Sequence, residues 1–112
     1  MRDVRLRLED IFDSIEKIEK YSVKGRDVFD QNELIQGWIV LHLQRIGEAV
    51  AKLGREFHEK YSGVPWKEIV GMRNVIIHEY FDLDYDKIWD AASKHILVLK
   101  ELIETLLAPP EK

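Results

Sequence analysis

Between residues 66 and 80 the chain sets an arginine, an asparagine, a histidine and a tyrosine (Arg73, Asn74, His78 and Tyr80) into a segment otherwise dominated by apolar side chains. Trp66, Ile69, Val70, Met72, Val75, Ile76 and Ile77 recur at the helical step of about 100° per residue and cover more than half of the circumference. The helix they predict is therefore mostly buried. Arg73 projects from the middle of this arc, between Ile69, Ile76 and Tyr80, where a charge needs an anion or several acceptors. Two readings stand. The guanidinium snorkels or pairs with a carboxylate of a neighbouring helix, or its planar fork grips a phosphodiester and stabilises charge building up on the oxygens.

His78 falls on the narrow polar side of the same helix, about 40° from Asn74 at the i, i+4 spacing, so the amide is placed to orient the imidazole. An imidazole titrates near neutrality, and it can take the proton of a ribose 2'-hydroxyl or give one to a leaving 5'-oxygen without any metal. The alternative is an imidazole simply solvated on a polar face. Arg73 and His78 lie about 140° apart on an ideal helix, so one helix does not aim both at the same atom. Unwinding after His78, a curled arginine or a two-fold dimer would relieve this, and we favour the dimer, which also supplies one histidine as base and one as acid. Tyr80 stands about 20° from Arg73, either as a hydroxyl at the same anionic site or as a core aromatic with a wet edge.

The elements that must carry these residues are four amphipathic helices. Leu8, Ile11, Phe12, Ile15 and Ile18 predict a first helix over residues 3–20. The stretch 22–29 with Gly25 breaks the period, and Asp30-Gln31-Asn32-Glu33 resembles a capping box that starts a second helix near Gln31. Ile35, Trp38, Ile39, Ile46, Val50, Leu53 and Phe57 extend that helix for about 27 residues, a length that suits a bundle spine. Gly47, Ala51 and Gly54 on it allow a close helix approach, either at a dimer seam or within one subunit. Pro65 suits the first position of the third helix, which runs to Glu79. Asp84 caps a fourth, with Ile88, Ala92, Leu99, Ile103 and Leu106 along one face, and Pro109-Pro110 ends it. Short connections predict an all-α, antiparallel up-and-down four-helix bundle, with residues 1–112 forming a single domain.

The composition agrees: 46% of residues are hydrophobic, 34% are charged, and there are only six glycines and three prolines, which excludes disorder and disfavours a turn-rich sandwich. The absence of cysteine excludes a disulfide framework and thiolate metal sites. There is no Gly-rich phosphate loop, His-Glu-x-x-His or calcium loop, so neither a cofactor nor a metal is expected; Asp82, Asp84 and Asp86 read as capping and solvated residues. No apolar run spans a membrane, and Met1-Arg2-Asp3-Val4 lacks an apolar signal core, so a cytoplasmic protein is expected. A net charge of −4 opposes non-specific attraction to a polyanion. Any RNA contact needs a local cationic patch, for which Arg45, Lys52, Arg55 and Lys67 are candidates.

The run Arg73-Asn74-Val75-Ile76-Ile77-His78-Glu79-Tyr80 resembles the signature of HEPN domains, with the x-Tyr extension of HepT proteins. Val64-Pro65-Trp66, Ile46-Gly47-Glu48-Ala49 and Ile88-Trp89 are similar to that family as well, so the resemblance covers essentially the whole chain. It implies a dimerising HEPN-like bundle and a metal-independent endoribonuclease cleft at the dimer interface. It also implies the toxin role in a prokaryotic toxin–antitoxin pair. Arg73 and His78 would then be catalytic, Asn74 the polar helper, and Tyr80 the hydroxyl that an MntA-like minimal nucleotidyltransferase antitoxin modifies with AMP. Two other functions fit the same residues: a non-catalytic helical partner or substrate-binding subunit of such a nucleotidyltransferase, and a structural dimer in which Arg73 satisfies a buried carboxylate.

Overall fold

Asp3 starts the first helix by accepting a hydrogen bond from Arg5 N at 2.8 Å, the side-chain substitute that a helix end lacking intrahelical partners requires. The computed structural model describes residues 3–79 and 81–108, and all regular structure among them is helical. Helix α1 (Val4–Ser22) buries Leu8, Ile11, Ile15 and Ile18 together with Ser14, the stripe expected from the period. The segment read as a break contains a second short helix, α2 (Arg26–Gln31). Six residues are too few to display a period, but α2 serves the core through one side chain. Phe29 is fully buried and packs on the rings of Tyr85 and Trp89 with centroids 5.8 and 5.2 Å away.

Helix α3 (Glu33–Leu53) is capped by Asn32, whose Oδ1 accepts from Leu34 N and Ile35 N at 3.0 and 3.1 Å. The cap therefore lies two residues later than Asp30, which instead accepts from Arg26 Nε at 2.7 Å. The expected 27-residue spine is also interrupted. Gly54 adopts φ +91°, a conformation that side chains with a Cβ rarely tolerate, and a short α4 (Arg55–Lys60) follows it. Leu53 and Phe57 still both pack on the core, so the apolar stripe runs on through the break and hides it from a periodicity argument. Gly54 is a helix breaker here and not part of a small-residue seam.

Helix α5 (Trp66–His78) starts after Pro65, which flanks the helix instead of opening it, and Trp66 Nε1 donates to Tyr61 O at 2.8 Å. Asp84 caps α6 (Tyr85–Asp90) as expected, accepting from Asp86 N and Lys87 N. The fourth stripe is not one uniform helix, because residues Ala91–His95 form a π-helical turn before α7 (Ile96–Leu107). Ser93 Oγ in this turn donates back to Trp89 O of α6 at 2.7 Å.

Helix α3 packs against α1 on one side and α5 on the other, while α7 and the π-turn close onto α1 and the π-turn also meets α5. The cross-links run in opposite senses along neighbouring helices. Trp38 Nε1 donates to Lys17 O at 2.8 Å, and His42 meets Ser14 farther along α3. Lys100 Nζ lies 2.7 Å from Glu19 Oε1, whereas Arg5 near the start of α1 reaches Leu107 O. Between them Ile15, Ile39, Val50, Ile88, Leu99 and Ile103 are wholly buried. No helix is long and apolar enough to cross a membrane among the described residues.

The core includes one buried histidine among the described residues. His42 is 1% exposed, its ring meets the edge of Trp38 at 4.5 Å, and Nε2 has no hydrogen-bond partner. Burial, then the positive charges of Arg45 and Lys17, hold its pKa below the ordinary 6.5, against a smaller opposing effect of Asp13. The unfolded chain therefore binds a proton at His42 more readily than the native one, and stability falls as the pH drops below about 6.5 toward the depressed native value. The urea midpoint of the wild-type protein should fall between pH 7.5 and 5.5, with the part due to His42 missing in His42→Leu. An unchanged pH dependence in the variant would exclude His42 as its source.

Candidate active site

Arg73 roots on the face of α5 that also carries the buried Ile69 and Ile76. That face is pressed against α3 at Gly47, where an added Cβ would come within 2.5 Å of Arg73 Cβ and 3.2 Å of Ile69 O. Gly47 therefore belongs to packing within the subunit. With its stem pinned there, the guanidinium reaches the edge of the interface, 35% exposed, and Arg73 Nε lies 4.0 Å from Glu48 Oε1. Nε itself has no hydrogen-bond partner. Of the two sequence readings of Arg73, the carboxylate partner is thus present on the neighbouring helix, but as a long contact without a closed hydrogen bond.

His78 is the last residue of α5 and is exposed, as is Asn74 one turn before it. No hydrogen bond joins the two side chains, so the amide does not orient the imidazole in this state. His78 borders a surface hollow formed with Ile77, Glu79, Phe81 and Asp82 at the C-terminal end of the helix, and Arg73 takes no part in it. Because α5 stays helical through His78, the angular separation expected between the two residues persists, and one chain does not bring them together. Tyr80 lies outside the described residues.

The other expected candidates separate into two places. Arg45 and Lys52 line a groove between α1 and α3, together with Arg7, Asp10, Asp13, Ser14 and Glu48. Arg55 and Lys67 border a different hollow, beside His58 and Trp66, and Arg55 is tied to Glu59 at 2.8 Å. Sequence reasoning missed Glu48 and Arg7. The i, i+3, i+7 spacing of Arg45, Glu48 and Lys52, which puts them on one helical face, was the available signal. Asp84 and Asp86 are accounted for by the α6 cap and by an ion pair from Asp86 to Arg26 at 2.6 Å. No group of three or more metal-ligating side chains occurs among the described residues.

The fold and the site define a small all-helical protein with a loosely held interfacial arginine five residues before an exposed histidine. The model of the HepT-like ribonucleases (Ribonuclease HepT-like) matches residues 11–106. The chain belongs to the HepT-like ribonuclease family. It is similar to a protein of Methanocaldococcus jannaschii named "Gamma-glutamylcyclotransferase and putative RNase", with 38% identity over 99% of this chain and 50% of that protein. It therefore spans about half the length of that relative. It is also similar to a "Putative RNase" of Caldanaerobacter subterraneus subsp. tengcongensis, 40% identical over 96% of each chain. The "Probable ribonuclease HepT" of Thermococcus cleftensis is 32% identical over 88% of this chain and 91% of its own. No solved structure matches the chain significantly.

The seating of Arg73 can be tested through its glycine. Gly47→Ala gains the helix preference of alanine, worth about 0.5–1 kcal/mol, but overpacks the α3–α5 contact at a cost of about 1–3 kcal/mol. Gly37, on the same helix, has nothing within 4 Å of an added Cβ. Gly37→Ala should raise the urea midpoint and Gly47→Ala should lower it; equal shifts would show that the close approach is not a constraint.

Proposed function

We propose that the chain is a metal-independent endoribonuclease toxin of a toxin–antitoxin pair. It acts as an up-and-down four-helix bundle of one HEPN/HepT-like domain that dimerises about a two-fold axis. Arg73 and His78 are the catalytic residues and Asn74 is their polar helper. The observation that carries this reading is Arg73 itself: a guanidinium rooted at a tight helix contact, with an unpartnered Nε and only a 4.0 Å carboxylate contact, in a chain of the HepT-like ribonuclease family.

The chemistry follows from the groups present. His78 takes the proton of a ribose 2'-hydroxyl, the freed oxygen attacks the adjacent phosphorus, and the bond to the 5'-oxygen breaks. The products are a 2',3'-cyclic phosphate and a 5'-hydroxyl, the latter receiving its proton from the imidazolium contributed by a second copy of the chain. Arg73 leaves Glu48 for the non-bridging phosphate oxygens as negative charge builds on them. Two copies of α5 across a two-fold axis supply both histidines and remove the demand that one helix aim Arg73 and His78 at the same atom.

Purified protein should cleave total RNA in EDTA, and Arg73→Ala and His78→Ala should each lose at least about 100-fold of that rate, the scale expected for removing a general acid–base or a charge stabiliser. Size-exclusion chromatography should find all three equally oligomeric. Retained cleavage by His78→Ala refutes the mechanism. Absence of cleavage from unmodified wild type favours a non-catalytic partner of a nucleotidyltransferase.

Silencing belongs to the same proposal: an MntA-like nucleotidyltransferase antitoxin transfers AMP to Tyr80. Coexpression with such an enzyme should add the mass of AMP to the wild-type chain and not to Tyr80→Phe, as read by intact-mass spectrometry. An unmodified wild-type mass beside an active enzyme would rule this out.

A further inference from the structure

Among the described arginines, Arg5, Arg26, Arg55 and Arg73 each have a carboxylate within 4.0 Å, at Glu9, Asp30 and Asp86, Glu59, and Glu48 respectively. Arg7 and Arg45 have none, and both line the α1–α3 groove, where they are joined by Lys52, which is likewise free of an ion pair among the described residues. Three carboxylates line the groove as well, each with a contact of its own. Asp13 holds Lys17 at 2.9 Å, Glu48 faces Arg73, and Asp10 is itself engaged. A chain of net charge −4 thus gathers in one groove three cations that close no ion pair of their own within 4.0 Å. Like charges brought together repel, and they are relieved by a polyanion that threads between them.

The groove is joined to the candidate active site through a shared residue. Glu48 lines it and also contacts Arg73. On α3, Arg45, Glu48 and Lys52 follow one face, and the helical rise puts the two cations about 10 Å apart with Glu48 between them. Arg7 opposes them from α1.

We infer that the α1–α3 groove is the track along which a single RNA strand lays its phosphates on Arg7, Arg45 and Lys52 on the way to Arg73. This rests on the ribonuclease reading and adds the substrate contacts outside the reacting bond. A strand arriving along the groove brings phosphate oxygens beside Glu48, where they compete with its carboxylate for the Arg73 guanidinium. The track is sequence-tolerant, because phosphate contacts position a strand without reading its bases.

The test is the salt dependence of binding, in a His78→Ala background that prevents turnover, using a fluorescent single-stranded oligouridylate. Each phosphate contact with single-stranded nucleic acid contributes about 0.7 to the slope of log K against log salt. Arg45→Gln with Lys52→Gln should weaken binding and reduce that slope by about 1.4. Arg55→Gln with Lys67→Gln, equal in charge change but placed at the other hollow, should leave it unaltered. Circular dichroism verifies that both pairs fold. Failure of the parent to bind, or equal slopes for the two pairs, overturns the track. A groove pair that instead changes the oligomeric state also overturns it, assigning these cations to a subunit contact. Cleavage of the same oligomer by wild type reports separately on the ribonuclease reading: a reduced slope without cleavage keeps the track and refutes the nuclease, and cleavage with an unchanged slope does the reverse.

Discussion

The contact between α3 and α5 at Gly47 constrains everything that Arg73 can do. Helix α5 must turn Ile69 and Ile76 inward, because both are buried, and Arg73 lies between them on the same face. Its Cβ occupies the space that any side chain larger than glycine at position 47 would need. The aliphatic stem is consequently held in the interface, and only the far end of the side chain is free to find water or an anion. A guanidinium placed to complete the core would close short hydrogen bonds to its carboxylate, since an uncompensated charge at that depth is costly. Arg73 instead keeps an Nε without a partner and a 4.0 Å contact to Glu48. The helix packing thus fixes where the arginine starts while leaving open what it finally binds.

The remainder of the structure serves to hold that contact. Helix α3 is the shared wall, with α1 on one side and α5 on the other, and Gly54 ends it so that α4 can turn the chain toward α5. Ion pairs such as Arg5–Glu9 and Lys94–Asp90 lie on exposed helix faces at i, i+4, where they contribute little stability but neutralise charge locally. The less exposed pair, Lys100 with Glu19, ties α7 to α1. Charge is distributed unevenly as a result. Much of the surface charge is cancelled one helical turn at a time, and cations without such a partner collect in the groove that adjoins Glu48.

Periodicity locates α1, α5 and α7 because each buries one stripe over three or more turns, and the Asp84 cap is evident from its position before a new stripe. The features it misses are those with no period of their own. Helix α2 is too short, the Gly54 break leaves Leu53 and Phe57 in phase, and the π-turn at Ala91–His95 inserts its extra residue where the buried positions remain three and four apart. The cap of α3 is displaced by two residues from its expected place because Asp30 lies inside the short α2, where it takes Arg26 as its i, i+4 partner, and Asn32 is the acceptor left at the start of α3. At the site, the anomaly of Arg73 is visible in one helix, as is the exposure of His78. Glu48 and Gly47 are not assignable as its neighbours from sequence, because which turn of α3 faces which turn of α5 is set by packing between helices and leaves no local trace.

Arg73 and His78 also lie on different sides of α5, and the helix is unbroken between them. Bending cannot bring them together, since a hinge would have to open within the turns that bury Met72 and Ile76. Arg73 cannot abandon α3 either, with its root pinned at Gly47. The proposed reaction needs both groups at one phosphorus, and the solution that leaves this packing intact is a second copy of α5, whose His78 enters from outside the subunit. Duplicating a helix that is already folded adds an acid or a base without asking any new element to form, so a two-fold axis is the least costly way to complete the site. The same rigidity that keeps Arg73 loosely paired within one chain would make the proposed reaction depend on two.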